Sequence, residues 1–234
     1  MRDDLRRWLQ SSALVVETGD ANFSDDGEAA QAVPRQDLKH AAVLVLLVNR
    51  QDANANANAN ANANANANAP QVLFTQRTAN LTDHAGQISF PGGRVEESDR
   101  DAIHTALRET EEETGIDGGR IEMLGTLPNY TTGTGYLVTP VVGWLEPPIV
   151  YSPDPLEVAE CFEVPFHYLI DANNHRLESA MYKGRLRSYY AVPYKTRYIW
   201  GATAGMIVTL SRVIAHARGE IYRPAIACAP DSGE

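Results

Sequence analysis

Apolar residues follow two different rhythms along this chain. Residues 41–48 read AAVLVLLV without a polar interruption. That is the length and composition of a strand covered on both faces, and it falls far short of a membrane span. Residues 202–217 instead bring Met206, Leu210, Val213 and Ile214 round at helical intervals, which predicts a long helix with one face on a core. A short helix is predicted over 1–10, where Leu5, Trp8 and Leu9 share a side. Extended stretches are predicted at 72–75, 87–90, 121–127 and 138–145, and shorter ones at 163–165 and 187–192. A Gly/Thr turn at 131–135 and a proline-punctuated loop at 147–155 separate them. The stretch 72–75 is the natural partner of 41–48. Another helix is predicted over 101–114, with Ser98 and Asp101 at capping-box spacing and Gly115 where a C-cap glycine belongs. Strands and helices in this order imply an α/β fold with a mixed sheet sandwiched between helices. A dinucleotide-binding fold is not implied, because no GxGxxG follows a strand and no GxxxxGK[ST] occurs.

Two segments break these rhythms. Residues 17–36 are polar and acidic and read as a loose linker, so 1–36 is expected to be an N-terminal helix with a flexible connection. Residues 53–68 are consecutive Ala-Asn pairs. Their alternation imitates a strand, but Ala and Asn are weak strand formers and Ala buries little apolar surface. The segment 53–69 is therefore expected to be a disordered loop inserted into a domain spanning 37–224, with an irregular tail at 225–234.

Composition narrows the function. With 44% hydrophobic residues the chain can bury a sizeable core, and its formal net charge of −10 argues against unspecific nucleic-acid binding. An acidic protein can still act on an acidic substrate if bound cations neutralise its site. The two cysteines, Cys161 and Cys228, have no metal-ligand spacing. No signal peptide or membrane span is visible, and a cytoplasmic location is expected.

The chemistry concentrates in the second predicted helix. Glu109, Glu111, Glu112 and Glu113 place four carboxylates within five residues. At helical spacing Glu109, Glu112 and Glu113 share a face and Glu111 points away, while Ile103, Ala106, Leu107 and Thr110 can turn to the sheet. Three like charges this close repel one another unless a cation intervenes, and an all-oxygen donor set suits Mg²⁺ or Mn²⁺. A solvated helix face would also explain an acidic run. A calcium loop would not, since the DxDxDG spacing is missing.

The surrounding residues tip this balance. Gly92-Gly93, then Arg108-Glu109-Thr110-Glu111-Glu112-Glu113-Thr114-Gly115-Ile116, resembles the Nudix box G-x5-E-x7-R-E-U-x-E-E-x-G-U. Thr110 stands where an aliphatic residue is usual, and the interval from Gly93 to Arg108 is one residue longer than the box prescribes. The first acid of the box then falls on Asp99 or Glu97. The coenzyme A pyrophosphatase-like subgroup shares this extra residue, and it resembles the chain ahead of the box as well. Its pattern LLTxRSxxLxxHxGQxxFPGG is similar to residues 72–93, with Arg77, Leu81, His84, Gly86, Gln87, Phe90 and Pro91 matching. Leu127-Pro128, Gly135-Tyr136, residues 138–143 and 199–204 extend the likeness over roughly 41–217.

The resemblance implies a Nudix-type α/β/α sandwich, with the domain at 37–224, that hydrolyses a diphosphate bond with Mg²⁺ or Mn²⁺. It makes Glu109, Glu112 and Glu113 candidate metal ligands, with Glu112 as ligand or base and Arg108 fixing their rotamers through a loop carboxylate or a glutamate. Gly92 and Gly93 would bring the backbone close to metal and phosphate, and Arg77 and Arg94 would contact substrate. His84 is read as structural. Glu157 or Glu160, in a loop leading to a helix, could add a further acid. The expected substrate is coenzyme A or a derivative, cleaved to 3′,5′-ADP and 4′-phosphopantetheine or its acyl form. Arg77, Arg94, Lys195 and Arg197 are the cations available for its 3′-phosphate. ADP-ribose or a dinucleotide is the alternative substrate, and a non-catalytic nucleotide-binding module the alternative role. The partner is a small nucleotide, with neither nucleic acid nor membrane involved, and a homodimer stays open.

Overall fold

The uninterrupted apolar run becomes the central strand of the molecule. The computed structural model describes residues 1–10, 18–20, 35–50, 69–79, 86–182 and 185–224. Helix α1 (Arg2–Gln10) is followed by strands β1 (Thr18–Gly19), β2 (Lys39–Val48), β3 (Gln71–Arg77), β4 (Ile88–Ser89) and β5 (Gly92–Arg94). Next come α2 (Ala102–Thr114), β6 (Glu122–Thr126), β7 (Tyr130–Thr131), β8 (Tyr136–Leu145), β9 (Val158–Pro165) and α3 (Phe166–Ile170). The last elements are β10 (Arg176–Tyr182), β11 (Arg185–Tyr194), β12 (Arg197–Trp200) and α4 (Ala202–Ala217).

Side chains alternate across a strand, so β2 feeds two cores at once. Ala42, Leu44, Leu46 and Val48 join Leu73, Ala106 and Val141 on the α2 side. Ala41, Val45 and Leu47 join Phe74, Val142, Ile207 and Leu210 on the α4 side, where Leu5 and Leu9 of α1 are also buried. β8 runs parallel to β2 over its whole length, while β5 and β3 pair antiparallel with successive parts of its other edge. Among the described residues the mixed sheet has order β1-β7-β8-β2-β3-β4, with β5 on β2, β6 on β8 and β9 on β3. This is the expected α/β/α sandwich.

Several local expectations change. The N-cap of α2 is Asp101 and not Ser98: its carboxylate accepts the backbone N–H of His104 at 2.8 Å. The glycine-rich segment is itself a strand, Gly92 paired with Val43 and Gly93 with Ala42. The short stretch at 163–165 grows to Val158–Pro165 against β3. Strands β10 to β12 form a separate three-stranded sheet, of which the sequence suggested only β11. Strand β10 escaped notice because its apolar residues stay outside, Leu177 at 40% and Met181 at 68% exposure. Part of the presumed linker is anchored: β1 pairs with β7, and Asp20 accepts from Tyr130 Oη and Gly133 N, both at 2.6 Å. Otherwise, the linker apart from 18–20 and 35–36, the Ala-Asn insertion 53–68, His84 and the tail 225–234 lie outside the described residues. Among the described residues no helix is long and apolar enough to cross a membrane.

Candidate active site

Helix α2 buries a stripe that is polar. Thr105, Ala106, Thr110, Glu113 and Thr114 face the sheet, whereas Ile103 and Leu107 are only partly covered. The threonine hydroxyls are satisfied within the helix, Thr110 Oγ1 on Ala106 O and Thr114 Oγ1 on Thr110 O, each at 2.6 Å. Thr110 thus fills a position where an aliphatic residue was expected without leaving an unpaired buried group. The helix ends at Gly115, whose left-handed φ of 73° lets its N–H reach Glu111 O.

The three glutamates sharing one helical face have unequal surroundings. Glu113 is buried, 5% exposed, so the acidic face reaches into the protein instead of lying wholly outside the core. Thr75 Oγ1 of β3 donates to its carboxylate at 3.4 Å, and the backbone N–H of Gly92 also faces it. Burial, and then the charge of Glu109, push its carboxyl up to about 8, against the opposing pull of Arg77. Glu109 is also raised, mainly by burial, with Arg108 opposing. Glu112 is 59% exposed and rests on Arg108. Among the described residues no three His, Cys, Asp or Glu side chains close on one point tightly enough to hold a metal by themselves.

Arg108 organises this face from the side. Its Nε and Nη2 form a fork on Asp99 at 3.1 and 3.0 Å, and Nη1 reaches Glu109 at 3.0 Å and Glu112 at 3.1 Å. Asp99 is the loop acid; Glu97 lies exposed. The Asp99 side chain has no exposure and also accepts from Glu96 N, His104 Nδ1 and Thr105 Oγ1, each at 2.9 Å. Arg108, followed by burial against it, sets the balance that holds this carboxyl well below the usual range. The residue added to the box interval therefore leaves the loop able to present Asp99 to Arg108.

The two glycines are needed for different reasons. Gly92 has φ 151°, and a Cβ there would come 2.4 Å from Ala42 O. A Cβ on Gly93 would meet the Glu109 carboxylate at 2.4 Å, so its bare backbone is the floor on which that carboxylate rests. Behind them, Arg77 is half-buried, and among the described residues its Nε is buried without a hydrogen-bond partner. Arg94 is exposed; its carbonyl accepts from Arg108 Nη2 at 3.2 Å.

The distal acids separate clearly. Glu160 is committed to Arg197 at 2.7 Å, but Glu157 raises the pKa of both Glu109 and Glu113 and so belongs to their electrostatic neighbourhood. Glu160 itself lies in strand β9, and the expected helix begins only after that strand, at Phe166. Sequence reasoning missed Thr75 and Cys161. They lie opposite each other on β3 and β9, and the Cys161 thiol is pushed up to about 11 by burial and then by Glu113. Only the pairing of β3 with β9 brings Cys161 here.

This donor set fits a hard divalent cation. Two carboxylates of raised pKa lie side by side, and a cation would relieve both burial and mutual repulsion. With few protein ligands gathered, water or substrate oxygens would complete the shell, as Mg²⁺ usually requires.

The NUDIX domain model matches residues 38–180, more than half of the sequence. The chain belongs to the Nudix hydrolase family. It is similar to the uncharacterized Nudix hydrolase NudL of Photorhabdus laumondii, 39% identical over 62% of this chain and 78% of that one. It is also similar to the uncharacterized NudL of Escherichia coli O7:K1, 35% identical over 70% and 85%. Among solved structures, a Caenorhabditis elegans Ap4A hydrolase complex matches 54% of this chain and 80% of its own at 20% identity and a TM-score of 0.40, too distant to bear on substrate or mechanism. Nudix hydrolases generally use divalent metal ions, and membership supports hydrolysis of a nucleoside diphosphate derivative.

Proposed function

We propose that this Nudix hydrolase cleaves the diphosphate bond of coenzyme A or a CoA derivative, giving 3′,5′-ADP and 4′-phosphopantetheine or its acyl form, with Mg²⁺ or Mn²⁺. The observation that carries the reading is the position of the segment resembling the CoA-cleaving subgroup. That segment supplies Thr75, whose hydroxyl lies 3.4 Å from Glu113, and Arg77, whose charge acts on the same carboxylate. That two residues of the segment resembling this subgroup adjoin Glu113 supports the reading.

Glu109 and Glu113 are the proposed ligands, and Glu112 the third ligand or the base. Bound there, the cation would neutralise phosphoryl oxygens and lower the pKa of a coordinated water. Gly93 leaves the Glu109 carboxylate room against the backbone, and Arg108 holds Glu109 and Glu112 in place through Asp99. Exposed Glu112 can accept a proton from water. Arg77, with one buried N–H unsatisfied, is the candidate to meet a phosphate oxygen.

The test is incubation with Mg²⁺ and separate samples of CoA, acyl-CoA, ADP-ribose, NADH and oxidised dNTPs, with products identified by mass. CoA yielding 3′,5′-ADP is expected. Efficient cleavage of ADP-ribose with CoA untouched would defeat the CoA reading.

A further inference from the structure

Four cations were candidates for a phosphate outside the scissile diphosphate, and the fold separates them. Arg197 is stacked on Phe162 at 3.7 Å and bound to Glu160 and Gln76. Arg77 sits beside Glu113. Lys195 occupies the turn between β11 and β12, over the ring of Tyr194. Arg94 has a different setting, one the sequence did not reveal.

Arg94 ends β5 opposite Ala41 of β2, and Lys39, two residues earlier on β2, lies opposite Tyr136 of β8. A two-residue step along a strand returns to the same face. Lys39, Arg94 and Tyr136 therefore gather at one end of the sheet, on the face away from α2. Lys39 Nζ is 5.9 Å and Arg94 Cζ 5.4 Å from the centroid of the Tyr136 ring. Both cations are exposed and the ring is half-buried. Among the described residues neither has a carboxylate partner, in a chain of formal net charge −10. Two cations drawn to one ring repel each other, and an anion between them would turn that repulsion into attraction.

The cluster is also joined to the glutamate site. Gly93, against which Glu109 rests, directly precedes Arg94, whose carbonyl accepts from Arg108. A substrate with its diphosphate at Gly92–Gly93 would need to extend only past the edge of β5 to place a second phosphate at these cations.

We propose that Lys39, Arg94 and Tyr136 form the subsite for the phosphorylated nucleoside half of the substrate. The cations take a phosphate on the ribose, and the tyrosine ring packs against the nucleoside. This deepens the CoA reading and rests on it, since CoA carries such a phosphate and ADP-ribose does not.

The probe is 3′,5′-ADP, which has no diphosphate to hydrolyse, titrated calorimetrically into the full chain with 5′-AMP in parallel. The wild type should bind 3′,5′-ADP about tenfold or more tighter than 5′-AMP, as a charge-assisted contact implies. Lys39→Ala and Arg94→Ala should each remove about tenfold from 3′,5′-ADP affinity while leaving 5′-AMP within about twofold. Lys39→Arg should restore binding, and Tyr136→Leu should weaken both nucleotides. With CoA as substrate, the loss in the cation variants should appear in KM, and it should be several-fold smaller with dephospho-CoA. Melting curves would confirm that each variant is folded. Equal wild-type affinity for the two nucleotides, absence of binding, or equal losses for both in the variants would overturn the subsite. If CoA is hydrolysed but the nucleotides are not distinguished, the subsite falls and the CoA reading stands. If the nucleotides are distinguished but CoA is not cleaved, the CoA reading falls and the subsite stands.

Discussion

The two helices packed on the central sheet do opposite jobs with similar means. Helix α4 buries Met206, Ile207, Val208, Leu210, Val213 and Ile214 and nearly all of its length. Helix α2 buries threonines and a glutamate instead, and its carboxylates crowd against glycine backbone. Each apolar side chain removed from water contributes about 1.5–3 kcal/mol, whereas moving a carboxylate charge out of water costs stability. Both faces of the sheet carry apolar core, but the α2 side also holds buried carboxylate charge that a cation would relieve. Natural sites often trade stability in this way.

The sharpest test of this contrast is Glu113→Gln. Turnover at saturating Mg²⁺ should fall at least about a hundredfold if Glu113 is a metal ligand as proposed. A rate near that of the wild type would show that Glu113 holds no metal. The same substitution should stabilise the metal-free protein in alkaline solution. With its carboxyl raised from 4.5 to about 8, Glu113 contributes stability that is fully present below about pH 4.5 and lost as pH rises through about 8. In chelator at pH 9 the variant should melt about 2–4 °C above wild type, for a gain on the order of 1 kcal/mol. A lower melting temperature there would refute the cost of burying that charge.

On the other face the effects should reverse. Leu210→Ala should cost about 2–5 kcal/mol by urea denaturation, with kcat of the folded fraction unchanged. A drop in kcat without loss of stability would place α4 in the chemistry. Gly93→Ala should reduce kcat by about tenfold, through displacement of Glu109, while stability changes by less than about 1 kcal/mol. Loss of stability without loss of rate would mean that Glu109 can move aside harmlessly.

The smallest effect belongs to acid sensitivity on the α4 side. His175 is buried between Tyr222 Oη and Leu169 O, and burial lowers its pKa. A depressed histidine contributes stability above its unfolded pKa of about 6.5 and loses it as pH falls through the folded value. The wild-type melting temperature should therefore drop more between pH 7 and 5 than that of His175→Asn. Parallel curves would discount the histidine.

What could be read in advance follows the same division. The α4 face was legible because helical periodicity and burial coincide: Ala202–Ala217 lies where Met206, Leu210, Val213 and Ile214 placed it. Central strand β2 announced itself as an apolar run. On the α2 face the acidic residues were visible but their burial was not, since Glu109, Glu112 and Glu113 look alike until β3 and β5 close over one end of the helix. Asp99 could be paired with Arg108 only as an alternative to Glu97, because a loop has no periodicity to orient it. Tyr136 carried no chemical signal by itself. Its meaning depends on the parallel register of β8 with β2, which joins residues far apart in the chain.

Asp99 accepts five hydrogen bonds, two of them from Arg108, before any ligand arrives. The entropy lost in ordering that arginine has therefore been met during folding, and little remains to be lost when metal and substrate bind. Such preorganisation separates affinity from loop rearrangement, so the arginine that holds the proposed ligand glutamates needs no reordering when a cation binds. The same buried carboxylate that contributes nothing to the chemistry can in this way determine how quickly the site becomes ready for it.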